Sequence, residues 1–195
     1  MVKTKSFDIL FTNCVVIDGT GNPWYKADVG VEDGKIVKIG HLKGSKAKRV
    51  IDLKGLVLSP GFVDIHTHSD LTPFVAPEAD SHIYQGVTTN VMGNCGGSAA
   101  PMSDFLKEDS KPLAEHYDIK FDWGTFGEYL DKLDSMKCSI NLVPVVGQAT
   151  IRMAVMGMEN RPPTKKELEK MKKHVAEAME AGAFGLSTGL WYAPS

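Results

Sequence analysis

With 22 Lys and Arg against 24 Asp and Glu, the 195-residue chain carries a net charge of −2, which excludes a dedicated nucleic-acid binder, since that needs a strongly basic face. The one basic cluster, Lys43, Lys46, Lys48 and Arg49, reads as a solvated loop. No apolar run approaches the ~18 residues of a transmembrane helix, Met1–Ser6 is polar with no signal-peptide core behind it, and three widely spaced cysteines make no disulfide framework: the expectation is a reduced, cytoplasmic protein with neither nucleic acid nor membrane as partner.

Residues 7 to 58 read as β. Phe7–Phe11 and Cys14–Ile17 are short β-rich runs broken by the turn cluster Asp18–Pro23. Asp28–Val31 and Lys35–Ile39 flank Asp33-Gly34, a strong hairpin signal. Val50–Leu53 and Leu56–Leu58 follow, separated by Lys54-Gly55. Strands this short, joined by turns this tight, predict a small β-sandwich portion over residues 1–58.

From residue 59 the pattern changes to alternating strand and helix. Phe62–Ile65 reads as a short buried strand, apolar on both faces, that ends in polar residues. A helix is expected over Glu78–Gln85, closed by Gly86, then a strand over Val87–Met92. Residues 98 to 122 lack periodicity and read as an insertion loop. Thr125 with Glu128 has capping-box spacing, and Phe126, Tyr129, Leu130, Leu133 and Met136 then recur at helical spacing. Ser139–Val146 is the third strand. Thr164 with Glu167 repeats the capping-box spacing, Leu168, Met171, Val175 and Met179 form one helical face, Gly182 closes that helix, and Ala183–Leu190 is the fourth strand. Such alternation implies parallel pairing with right-handed crossovers.

The chemistry concentrates just past the first of these strands, in His66-Thr67-His68. In an extended chain residues i and i+2 project to one face, so both imidazoles can address one metal ion. The alternative is one core histidine and one solvated histidine. Cys95 follows the second strand, between Gly93 and the pair Gly96-Gly97. With adjacent strands about 5 Å apart, its thiolate can reach an ion held by the histidines, and thiolate with imidazole favours zinc; otherwise Cys95 is a small buried hydrophobe. Cys14 and Cys138 sit by apolar strands and read as core. Trp191 and Tyr192, after the fourth strand, either rim a pocket, where a phenol can bind a carboxylate, or simply pack. Ser187 is a weaker substrate-binding candidate. No Gly-rich phosphate loop is present.

Ser59-Pro-Gly-Phe-Val-Asp-Ile-His-Thr-His68 resembles the first-strand signature of the amidohydrolase superfamily, metal-dependent hydrolases on a (β/α)₈ barrel. Gly86-Val-Thr-Thr-Asn-Val-Met-Gly-Asn-Cys-Gly-Gly97 and Gly182-Ala-Phe-Gly-Leu-Ser-Thr-Gly-Leu-Trp-Tyr-Ala-Pro194 resemble its D-aminoacylase (N-acyl-D-amino-acid deacylase) branch. The resemblance implies an α/β chain, a β-sandwich portion at 1–58 followed at 59–195 by the first four βα units of an incomplete barrel, since a full barrel typically takes about 250 residues. It implies Zn²⁺ on His66, His68 and Cys95, and a small-molecule N-acyl-D-amino acid as substrate, hydrolysed to a carboxylate and a free D-amino acid. In the family two more histidine ligands come from middle strands and the general base is an Asp after the last strand. All would lie beyond Ser195, so the 195 residues are expected to be an inactive N-terminal portion. His82, His116 and His174, two in expected helices and one in the insertion, do not replace them, and neither Asp64 nor Asp70 matches the family's base. Two rival readings remain. A cyclic amidase of hydantoinase or dihydroorotase type would usually carry a lysine on the fourth strand, where Ala183–Leu190 has none. A non-catalytic remnant or interaction protein would have no reason to keep His66, His68 and Cys95 intact.

Overall fold

The computed structural model describes residues 6–194, a mixed α/β chain that divides into two compact units at Pro60/Gly61. The first unit is all β: β1 (Phe7–Val16), β2 (Tyr25–Glu32), β3 (Lys35–Gly40), β4 (Ala47–Asp52) and β5 (Val57–Leu58). They form one sheet in the order β3-β2-β1-β4, with β5 also on β1. β2 is antiparallel to β1, whereas β4 and β5 lie parallel to it, end to end. The two strands expected at Phe7–Phe11 and Cys14–Ile17 are one. Asn13 takes a left-handed φ of 56° and the register with β2 shifts between Phe11 and Cys14, so a bulge absorbs the irregularity without ending the strand. Two carboxylates hold it: Asp28 accepts the Asn13 backbone N–H at 3.0 Å and Asp52 accepts its side-chain amide at 2.8 Å. The hairpin at Asp33-Gly34 is as expected, both residues having positive φ. Cys14, Val16, Ala27 and Val29 are the buried core of this sheet.

The second unit runs β6 (Phe62–Asp64), α1 (Thr72–Val75), α2 (Asp80–Ile83), β7 (Val87–Met92), α3 (Asp104–Asp109), α4 (Lys111–Tyr117), α5 (Phe126–Asp134), β8 (Asn141–Pro144), β9 (Val146–Gly147), α6 (Gln148–Met156), α7 (Lys165–Ala181) and β10 (Leu186–Ser187). β6, β7 and β8 are parallel neighbours, and β9 is parallel to β10. The strand expected over 139–146 is broken at Val145. Its N–H donates to Met92 O, while that of Val146 turns to Gly185 O, both at 2.9 Å. One chain segment thus serves two neighbours in succession, and four parallel strand positions follow one another.

Several expected elements change. The stretch at 98–122 is not a plain loop but carries α3 and α4. Ser103 caps α3 by accepting the Leu106 N–H at 3.3 Å, and Leu106 is buried. The helix expected over 78–85 is a single turn, α2, and the fourth strand shrinks to β10. α6 has no counterpart in the sequence reading, because Gly147 offers no side-chain cap to announce it. The buried face of α7 is Met171, Val175 and Ala178, at i, i+4 and i+7, whereas Leu168 and Met179 are exposed.

The core of this unit gathers Met92, Trp123, Phe126, Tyr129, Leu133, Val146 and Ala178. Trp123 stacks on Phe74 at a centroid distance of 5.2 Å and donates its indole N–H to Ala99 O at 2.8 Å. α5 and α7 both open with complete capping boxes, on Thr125/Glu128 and Thr164/Glu167, as their spacing predicts. No described helix is long and apolar enough to cross a membrane.

At α7 the cap is reinforced. Arg161 forks onto both oxygens of Glu167, at 2.7 and 2.8 Å, and with the Thr164 N–H and hydroxyl it holds that carboxyl well below its ordinary value of 4.5. A depressed carboxylate stabilises the fold fully above its unfolded-state value and progressively less as the pH falls. Glu167→Gln is therefore expected to lower the thermal midpoint at pH 7 and to flatten its decline on acidification. Melting curves of both proteins between about pH 3 and pH 7 check this, and parallel curves would refute it.

Candidate metal centre

The end of β6 sets the geometry. His66 and His68 are exposed while Thr67 and Ser69, between and after them, are buried. This is the two-residue alternation of an extended chain, and it sends both imidazoles to one side. Three bonds hold the segment past the end of β6: the His66 N–H donates to Asp64 Oδ1 at 3.1 Å, the Thr67 N–H to Val91 O at 3.0 Å and the Thr67 hydroxyl to Val91 O at 2.9 Å. The imidazole centroids stand 5.7 Å apart, edge to face.

β7 supplies the third donor. After Met92 the chain turns through Gly93–Gly97, and Cys95 adopts a φ of 55°, a conformation that non-glycine residues rarely take. Its Sγ lies 3.2 Å from His66 Nε2. The ligand atoms of His66, His68 and Cys95 all fall within 4.8 Å of one another. Around a tetrahedral zinc with bonds of about 2.0–2.3 Å, ligand atoms lie roughly 3–4 Å apart, so the trio fits such an ion with little adjustment. Two neutral nitrogens and one sulfur also suit zinc far better than magnesium or calcium, which take oxygen.

Other residues, to which the sequence reading gave no role at this site, hold this loop. Asn94 donates from its side-chain amide to Val91 O at 2.9 Å and Thr67 O at 3.2 Å, tying the cysteine loop to the histidine segment. Asp70 accepts the Gly93 N–H at 3.2 Å. Burial pushes the Asp70 carboxyl up to about 6, partly opposed by that backbone bond and by His68. The buried phenol of Tyr129 donates to Asp70 O at 2.8 Å, which anchors the backbone there to α5. Asp70 and Asn94 carried a signal in their positions, two and one residues from candidate ligands; the contact with Tyr129, 59 residues away, had none.

The remaining candidates are distributed as follows. Trp191 is 94 % exposed and Tyr192 57 % exposed, so packing within this unit is not what they do. The Ser187 hydroxyl accepts the Gly96 N–H at 3.1 Å and donates to Gly93 O, which commits it to the cysteine loop. Cys14 is buried, and burial together with Asp28 and Asp52 pushes its thiol up, leaving it a poor ligand. Cys138 is only half-buried, less than a core residue; all three thiols are free. His174 lies in α7 beside Glu177, at 3.5 Å. His82 lies in α2, and His116 lies in α4 against Tyr117 rather than in a loop.

Residues 49–194 match the amidohydrolase family, and residues 1–60 match the N-terminal domain of the urease alpha-subunit. The N-acyl-D-aspartate deacylase of Alcaligenes xylosoxydans xylosoxydans is 38% identical over 188 residues, covering 96% of this chain and 38% of the relative. The D-aminoacylase of the same organism is 37% identical over 200 residues, covering 98% and 40%. The crystal structure of N-acyl-D-glutamate deacylase from Bordetella bronchiseptica, complexed with zinc and a phosphonate inhibitor that mimics the tetrahedral intermediate, superposes with a TM-score of 0.87 at 38% identity. It is covered to 40% by 97% of this chain. The chain thus spans about two-fifths of the length of the relatives it matches. The paired histidines after β6, the cysteine after β7 and a family match that runs through three-quarters of the residues lead to one conclusion: the chain belongs to the amidohydrolase family.

Proposed function

We propose that this chain forms the N-terminal part of a zinc-dependent N-acyl-D-amino-acid deacylase, with His66, His68 and Cys95 as three of the metal ligands. The observation that carries this reading is the convergence of those three donor atoms within 4.8 Å at the ends of two adjacent parallel strands. The four successive parallel strand positions are read as the first four βα units of a (β/α)₈ barrel, whose sites lie at the C-terminal strand ends, and the sheet of the first unit as one layer of a sandwich. Relatives that cleave N-acyl-D-aspartate and N-acyl-D-glutamate, together with a zinc-bound structure, support the substrate class and the metal. A bound zinc ion supplies a water of lowered pKa and polarises the scissile carbonyl.

The chain's own residues then have separate tasks. His66 and His68 hold the metal from one strand end, and Cys95 closes it from the next. Tyr192, which is exposed, binds the substrate carboxylate, and Trp191 walls the acyl or side-chain part. Phe62, Val63, Ile65 and Leu186 are left exposed by the described residues. The chain alone is accordingly expected to hydrolyse nothing.

The deciding experiment assays the whole protein on N-acetyl-D- and N-acetyl-L-methionine, as wild type and as Tyr192→Phe. The wild type should prefer the D-form. A lost hydrogen bond to a charged group is worth about 1.5–3 kcal/mol, so the variant should lose roughly ten- to a hundred-fold in kcat/KM, mostly through KM, with its metal content intact. A wild type that prefers the L-form overturns the substrate assignment. Unchanged kinetics in the variant remove Tyr192 from the site.

A further inference from the structure

The loop that carries Cys95 is gripped from the fourth strand position by one side chain. Ser187, in β10, reaches across more than ninety residues of sequence and bonds the loop on both sides of the cysteine. Its hydroxyl donates to the carbonyl of Gly93, two residues before Cys95, and accepts the N–H of Gly96, one residue after it, at 3.1 Å. Both bonds are satisfied together only when the chain between them is folded into the tight turn in which Cys95 takes its left-handed φ of 55°. The backbone alone does not favour that conformation.

The surroundings leave the loop no other place. The Gly93 N–H is held by Asp70, Gly96 O accepts the Thr150 N–H at 3.1 Å, and Gly189 lies so close to the Cys95 carbonyl that a Cβ there would overlap it. The serine's one proton and one of its lone pairs are already used, which leaves little for a substrate.

We propose that Ser187 is a positioning residue for Cys95: it fixes the turn that aims the thiolate at the histidine pair, and it does not contact substrate. This rests on the reading of Cys95 as a metal ligand, and it assigns to the fourth strand a role in building the metal site at the end of the second.

The test uses the whole protein as wild type, Ser187→Ala, Ser187→Thr and, as a control, Thr188→Ala, whose side chain is exposed. Two readouts are taken. In the metal-free protein, amide exchange at residues 93–97 and the alkylation rate of Cys95 report the turn itself. In the cobalt-substituted protein, the thiolate-to-cobalt charge-transfer band reports whether sulfur reaches the ion. Loss of two hydrogen bonds should speed exchange and alkylation roughly tenfold in Ser187→Ala and weaken or shift the band. Ser187→Thr, which keeps the hydroxyl, should restore both, and Thr188→Ala should change neither.

Unchanged exchange and alkylation in Ser187→Ala overturns the proposal. A wild type that shows no charge-transfer band defeats the ligand reading of Cys95 instead, while exchange at 93–97 still decides whether Ser187 holds the turn.

Discussion

Cys95→Ser should strip the whole protein of most of its metal. The Cys95 Sγ is one of three donor atoms that converge within 4.8 Å, and a serine hydroxyl is a far poorer partner than a sulfur for a borderline-soft ion. Disturbing only the partners of a metal ligand typically costs ten- to a hundred-fold in affinity, so removing a ligand should cost at least about a hundredfold. Cys14→Ser and Cys138→Ser are the appropriate comparisons. Cys14 is buried in the first sheet and Cys138 half-buried before β8, so both substitutions can cost stability without touching the ion. Zinc content after dialysis against a chelator separates the cases. Equal retention in all three variants would take Cys95 out of the metal centre and leave the two histidines without their third donor.

Gly93→Ala is expected to be the most damaging single-methyl change in the second unit. Gly93 has a φ of 88°, and a Cβ built on it runs into the carbonyl oxygen of Val145, the residue where the third strand passes from one neighbour to the next. The clash is with backbone, which cannot swing aside as a side chain can, and the left-handed conformation adds its own penalty. Together these should destabilise the unit by about 3 kcal/mol or more, a fall of roughly 6–12 °C in Tm for a chain of this size. Metal affinity should fall with it, because Gly93 opens the loop that presents Cys95. Gly97→Ala is the contrast: its nearest new neighbour would be Asn94 O at 3.7 Å, an ordinary contact, so its Tm should stay within about 1 °C of wild type. Equal Tm values for the two variants would show that the loop can relax away from Val145.

Local information was enough for the parts of this protein that local physics decides. The alternation of a strand sends His66 and His68 to one side whatever lies around them. Asp33-Gly34 turns the hairpin because its residues tolerate positive φ, and the capping boxes at Thr125 and Thr164 satisfy backbone donors from three residues away. All of these were legible in the sequence, and so was Cys95 as a candidate, because it sits among glycines one strand further on. What the sequence alone could not yield depends on contacts between distant residues. α6 begins after a glycine that offers no cap, and of its buried residues Ala149, Thr150, Ile151 and Met156 three are consecutive, which blurs the helical spacing. The third strand reads in sequence as one segment, Ser139–Val146, yet it splits at Val145 because Met92 and Gly185 draw consecutive N–H groups to different carbonyls. From sequence Ser187 reads only as a weaker substrate-binding candidate. Only the folded chain, which brings Gly93 and Gly96 within reach of its hydroxyl, turns it toward Cys95. A hydrogen bond spanning more than ninety residues leaves no periodicity or spacing behind, since neither end constrains the residue types near the other.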